Sequence, residues 1–204
     1  MKRAKVKFLL SGLVLFICTI SSPEVNSQGF RYSVSAAWVK MDIREHDNDF
    51  VLFPKDFSNG FEIGPLVTYR LKPAPFAFTT GLLYTAMYYE SYNSYNLNFL
   101  NAPLRVSIEA GKKGGMFFGF GVRFWYLLKV PQELNYYEEQ DRINRYLFSY
   151  TVHLGAFFTV KKLHFQLFPQ IEYFKTALYY SSCWRNHKHE NFINMVSYNL
   201  IVSF

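Results

Sequence analysis

Phe192-Ile193-Asn194-Met195-Val196-Ser197-Tyr198-Asn199-Leu200-Ile201-Val202-Ser203-Phe204 is the stretch on which the reading of this chain turns. Phe192, Val196, Tyr198, Leu200, Val202 and Phe204 fall on one face. Ser197, Asn199 and Ser203 fall on the other, because side chains along a strand alternate with period two. The stretch is therefore an amphipathic strand closing on an aromatic residue. An outer-membrane barrel gains from such an ending, since its assembly machinery reads a final strand of alternating apolar residues closed by Phe. The barrel-assembly machinery, through the strand ending at Phe204, and outer-membrane lipid are thus the first partners to expect.

Seven more segments repeat the pattern. Phe30, Tyr32, Val34, Ala36 and Trp38 alternate with Arg31, Ser33 and Ser35, and Met116, Phe118, Phe120, Val122, Phe124 and Tyr126 oppose Gly119, Gly121 and Arg123. Similar segments begin near Phe61, Phe76, Leu100, Tyr146 and Leu163. Each covers the roughly 9–11 residues that a tilted strand needs to cross a bilayer. Lys72-Pro73-Ala74-Pro75, Gly111-Lys112-Lys113-Gly114 and Lys161-Lys162 read as tight turns. The other four links, about residues 43–58, 90–98, 129–145 and 178–191, are longer and polar. Short periplasmic turns and long external loops are the asymmetry of outer-membrane barrels. The expected fold is all-β: an eight-stranded antiparallel up-and-down transmembrane β-barrel with both termini periplasmic, in a Gram-negative outer membrane. Pro65, Pro103 and Pro169 fall inside the strands and are expected to mark bulges or slips of register.

The amino terminus reads as an address. Lys2, Arg3, Lys5 and Lys7 precede an apolar run from Phe8 to Ile20, and Val25-Asn26-Ser27 offers a small-residue exit. Residues 1–27 are expected to be a signal peptide and 28–204 the outer-membrane β-barrel domain. The apolar run is shorter than the roughly 20 residues of a spanning helix. Removing this segment takes away four basic residues and one acid, lowering the formal charge from +7 to +4. The remaining basicity is too thin for a nucleic-acid partner, which wants a Lys/Arg stripe on the fold. Cys183 is then the sole cysteine, so no internal disulfide forms. Aromatics make up 20% of the chain.

A soluble, lipocalin-like barrel would turn the same alternation around, with aromatic faces lining a cavity. The polar faces carry Gly, Ser, Thr and Gln with almost no Lys, unlike a face bathed in water. The aromatic faces also hold more bulk than one small cavity accepts. The membrane reading is preferred.

Phe99-Leu100-Asn101-Ala102-Pro103-Leu104-Arg105-Val106, followed by Gly111-Lys112-Lys113-Gly114-Gly115-Met116-Phe117-Phe118-Gly119-Phe120-Gly121-Val122, resembles the central hairpin of PorT-like outer-membrane β-barrel proteins. The match covers about 25 residues: a strand with a central proline, a Gly/Lys turn, and a strand of alternating glycines. The resemblance implies an eight-stranded barrel. One member of that family is linked to a protein-secretion apparatus, which makes an accessory of transport or secretion the second functional reading. The family carries no catalytic residues over.

Inward-facing charges are Arg31, Glu62, Arg70, Arg105, Glu109, Arg123 and Glu172, accompanied by His153, His164, Gln166 and Gln170. An unpaired charge in a narrow interior is costly, so Arg105, Arg123, Glu109 and Glu172 are expected in a paired network that closes the lumen. A small selective pore is the alternative. Ser149, His153 and Glu172 resemble a catalytic set on paper, but four residues of strand put Ser149 and His153 about 13 Å apart. Cys183, Trp184, His187, His189 and Glu190 offer metal donors at a spacing that matches no standard site. No catalytic, cofactor-binding or metal-binding residue is assigned, and no cofactor is expected. Tyr92, Tyr95, Tyr136, Tyr137, Tyr179 and Tyr180 are read as an aromatic belt near the loops. Phe50-Val51-Leu52-Phe53 has no obvious burial site in the barrel, which suggests a partner surface or self-packing over the barrel mouth, and a protein partner is expected at loops 43–58 and 129–145. The leading functional expectation is a structural or interaction barrel displaying its loops, and not an enzyme.

Overall fold

The computed structural model describes residues 29–45, 58–71, 74–89, 95–111, 113–129, 142–176, 179–183 and 187–204. The expected signal segment, Phe50–Phe53, Trp184, Tyr92, Tyr136 and Tyr137 lie outside them. In chain order the strands are β1 (Phe30–Glu45), β2 (Ser58–Arg70), β3 (Phe76–Gly81), β4 (Leu83–Tyr89), β5 (Tyr95–Gly111), β6 (Gly114–Lys129), β7 (Arg142–Ile143), β8 (Tyr146–Val160), β9 (Leu163–Phe174), β10 (Tyr179–Cys183) and β11 (His187–Ser203). All pairings are antiparallel, and β1 pairs with β11 from Ser33↔Ser203 to Glu45↔Asn191, so the sheet closes on itself. β3 and β4 act as one wall strand between β2 and β5. The barrel therefore has eight strands, with β10 and β7 continuing outward from β11.

Closure removes every edge from the wall, leaving no row of unpaired backbone groups to face lipid. The alternation sets which way each residue points. Phe61, Phe78, Phe120, Phe124, Tyr150, Leu154 and Tyr198 are exposed on the outside, while Glu62, Arg105, Arg123, Ser149, His153 and Glu172 are buried inside. This is the membrane arrangement and the reverse of a lipocalin-like one. Outward aromatics pair across strands, Trp38 with Tyr198 at 6.0 Å, Phe30 with Tyr69 at 4.8 Å and Tyr126 with Tyr146 at 5.2 Å between ring centres. Tyr84, Tyr88, Tyr146 and Tyr173 are among the outward tyrosines in the long-loop half, whereas the side chains of Tyr95, Tyr179 and Tyr180 lie outside the description.

Two of the short turns are set by local chemistry. Gly111 has φ +130°, and a Cβ there would sit 2.2 Å from the Gly114 carbonyl oxygen, so the 111–114 turn requires glycine. Val160 and Leu163 pair directly across Lys161-Lys162, with Lys161 at φ 55°. The start of β1 and the end of β11 meet at this short-turn end, where the Phe204 amide donates to the Tyr32 carbonyl at 2.9 Å.

The expected slips at the prolines do not occur. Leu66↔Gly81 and Ile63↔Tyr84 keep one register across the break at Leu82, and the Leu82 amide donates to the Pro65 carbonyl at 3.1 Å. Proline lacks the donor that would return this bond, so Pro65 and Pro103 interrupt the ladder on either side of Leu82 without shifting it. The β8–β9 ladder likewise passes Pro169 from His153↔Gln170 to Ala156↔Leu167 in one register. The register shift lies instead between Asn98 and Phe99, opposite Leu127–Lys129, near the long-loop end. The strands also run longer than expected. β5 and β11 each have 17 residues, and the links expected at 129–145 and 178–191 contribute β7, β10 and the start of β11.

Candidate functional site

The lumen is layered along the barrel axis. Toward the long-loop end an apolar cluster includes Met41, Leu97, Phe99, Trp125, Leu147, Phe174 and Met195. Toward the short-turn end a second cluster joins Leu66, Leu83, Phe117, Phe157, Phe168 and Ile201. Between them lies a polar belt, and below the second cluster a polar rim. An interior read from its charges alone was expected to be a salt-bridge plug. Aromatic side chains on both sides of those charges fill much of it instead.

Arg123 organises the belt. It has no solvent exposure, its Nη1 donates to Glu62 Oε2 at 2.6 Å, and the same nitrogen is 3.6 Å from Glu172 Oε2. Glu62 Oε2 also accepts from Thr85 Oγ1 at 2.8 Å and Asn101 Nδ2 at 3.2 Å. Glu172 accepts from Trp125 Nε1 at 2.8 Å, from Gln170 Nε2 at 3.2 Å and from the Ser149 hydroxyl. Arg123 also stacks its guanidinium over the Trp125 ring, 5.0 Å from its centre. At the rim Arg70 pairs with Glu109, Gln166 Nε2 donates to Glu109 Oε1 at 3.0 Å, and His164 Nδ1 lies 3.0 Å from Thr159 Oγ1.

Three of the four residues expected in the paired network are in it: Arg123, Glu172 and Glu109. Arg105 is not. Its guanidinium lies over the Phe168 ring, 5.6 Å from the centre, and none of its nitrogens has a hydrogen-bond partner. The expectation fails because Glu62 and Glu172 converge on Arg123, one inward step further along the neighbouring strand.

Ser149, His153 and Glu172 do not assemble as a catalytic set. Ser149 faces Arg123 in the ladder and donates to Glu172, whereas His153 faces Gly119 and packs against Phe117 and Phe168. Ser149 has no solvent exposure. The backbone ladder places Cys183 opposite His187 and Ser181 opposite His189; the metal reading of that hairpin falls on side chains outside the description. Among the described residues no group of three or more metal-ligating side chains comes together.

Sequence reasoning missed Trp125, Phe99, Phe174 and Phe168. The signal was present: Trp125 is two residues beyond Arg123 and therefore shares its inward face, where the sequence reading names only polar and small residues. A lumen filled in this way is expected to carry no stable current. Pure protein reconstituted in planar bilayers should give no discrete conductance steps, and reproducible steps would mean that the belt and clusters part.

Fold and interior together define a closed, eight-stranded antiparallel barrel of the outer-membrane type. No protein-family model matches the chain, and no curated protein is similar to it. Among solved structures, Neisserial surface protein A (NspA) is 12% identical, with 86% of this chain and 97% of that one covered at a TM-score of 0.53. The outer membrane enzyme PagL is 12% identical, covering 84% and 98%, at 0.47. Ail of Yersinia pestis, in complex with the heparin analogue sucrose octasulfate, is 10% identical, covering 86% and 99%, at 0.46. At such identities the likeness is one of fold.

Proposed function

We propose that this protein is a small outer-membrane barrel of the structural or interaction type, with both termini periplasmic and its long loops binding a partner outside the cell. The filled lumen carries this reading. Apolar clusters on both sides of a fully buried charge belt leave no path for a substrate, so recognition falls to the ends of the barrel. At the long-loop end β1, β11 and β10 continue the ladder to Glu45, His187 and Cys183, giving loops 43–58 and 129–145 a stiff base. Binding sites are often held on loops above a rigid scaffold. The protein needs no cofactor on this reading and is not an enzyme.

Crosslinking from loops 43–58 and 129–145 in intact cells tests the proposal. A specific crosslinked partner is expected, and deleting 46–57 should abolish the crosslink while the barrel still assembles. If loop deletions change nothing and His153→Ala abolishes a phenotype, the interaction reading fails in favour of an enzyme. The PorT-like hairpin supports the second reading, an accessory of transport or secretion. That reading gains if the captured partner is itself a periplasmic or outer-membrane secretion component.

A further inference from the structure

The polar rim at the short-turn end is a cup. Leu66, Phe117, Phe157, Phe168 and Ile201 floor it. Hydroxyl pairs line its wall, Ser33 with Ser203 at 2.8 Å and Thr68 with Thr79 at 2.9 Å. Unlike the central belt it meets water, since Arg31, Arg70, Glu109 and Gln166 are only half-buried. Arg31 faces inward from β1 opposite Thr68, and Arg70 faces inward from β2 two residues beyond Thr68. The two arginines are therefore diagonal neighbours on one inner wall. Arg31 Nη1 is buried without a hydrogen-bond partner. Glu109 is already held by Arg70 and Gln166, with His164 Nε2 3.9 Å away.

Charge divides unevenly between the two ends of the barrel. In sequence, residues 28–33, 68–79, 107–117, 157–166 and 202–204 of the short-turn end hold seven basic side chains and one acid, Glu109. Residues 38–58, 88–98, 127–147 and 174–194 of the long-loop end hold nine basic side chains and eleven acids. Five of the seven are lysines of the short turns, Lys72, Lys112, Lys113, Lys161 and Lys162. The turns stand side by side. The Glu109 amide donates to the Pro75 carbonyl at 3.0 Å, and the Thr159 amide to the Lys113 carbonyl at 2.7 Å. Lys113, Lys161 and Lys162 are exposed.

We propose that this mouth docks an acidic segment of a periplasmic protein, with one carboxylate on Arg31 inside the cup and others on the turn lysines around it. The proposal rests on the reading that places both termini in the periplasm. A guanidinium fork suits a carboxylate, which it can bind through two parallel N–H bonds. Lipid headgroups outside the wall do not reach Arg31 or Arg70, which face the lumen. A single small ion would meet Arg31 and leave the lysines around the mouth unmatched. A flexible chain bearing several carboxylates meets both.

The test is binding of fluorescein-labelled decaglutamate to the barrel refolded in detergent, read by anisotropy at low ionic strength. The native barrel should bind it and should not bind decalysine. Arg31→Gln is expected to weaken binding about tenfold, the loss of one hydrogen bond to a charged group. Lys113→Glu with Lys162→Glu should weaken it by about tenfold or more, and decides the matter should Arg31→Gln fail to fold. Lys129→Glu with Lys175→Glu makes the same change of net charge at the other end, beyond the reach of screened charges, and should leave binding unchanged. Equal losses in the two double variants, or native binding by Arg31→Gln, would overturn the site. Loss of the peptide when phosphatidylglycerol is added to phosphatidylcholine vesicles would give the surface to lipid headgroups instead. Orientation is read separately, with a membrane-impermeant maleimide on Lys113→Cys in a Cys183→Ser background. Labelling only after the cells are opened is expected. Labelling of intact cells would overturn the periplasmic termini, and a periplasmic partner with them, whatever the peptide does.

Discussion

Arg123→Met is expected to weaken the barrel by about 3–5 kcal/mol, the usual cost of removing one partner from a buried ion pair. Arg123 is fully buried and is the only arginine in contact with either Glu62 or Glu172 among the described residues. Its loss leaves two carboxylates in the lumen with neutral donors alone. Methionine keeps much of the volume, so the measured loss reports charge rather than a cavity. Urea unfolding of the refolded barrel in detergent, followed by tryptophan fluorescence, gives the number. Adding Glu62→Gln to Arg123→Met should recover a large part of it, because one of the two stranded charges is then gone. A loss below about 1 kcal/mol for the single variant would mean that the belt is hydrated and that the pairing matters little.

The barrel itself was legible in the sequence because alternation is a backbone property. Every strand that turns a polar face inward and an aromatic face outward reports the same wall, and Phe192–Phe204 states it most clearly. The prolines misled because a missing N–H and a shifted register look alike in sequence. Only the ladder shows that Pro65, Pro103 and Pro169 drop bonds while the count of residues stays aligned. The bulge near Asn98 had no such marker.

The interior was legible in type and not in pairing. Glu62, Arg123 and Glu172 could be placed on inward faces, but which arginine meets which carboxylate depends on the stagger of strands around the closed sheet. That stagger gives both carboxylates to Arg123 and leaves Arg105 to Phe168. Trp125 shows the other limit. Its place beyond Arg123 fixes its face, yet only the assembled barrel shows its indole nitrogen reaching Ser149 at 3.0 Å and Glu172 at 2.8 Å.

The outward face provides the second large effect. Phe120 lies near the middle of β6, 54% exposed on the outside, between Val106 and Val152 on the neighbouring strands. Phe120→Arg is expected to cost about 2–4 kcal/mol in a lipid bilayer, the cost of an arginine on the lipid face of a barrel near the midplane. Tyr146→Arg, at the long-loop end of β8, should cost only about 0–1 kcal/mol, because the charge there reaches the interface. The contrast between the two sites is the informative quantity. In a barrel whose aromatic face met water, both substitutions would fall within about 0.5 kcal/mol of neutral, as surface changes do. Unfolding in urea from phospholipid vesicles measures both. A depth-dependent penalty on this face places the hydrocarbon against Phe120, and equal small effects at the two positions would remove the membrane from around the barrel.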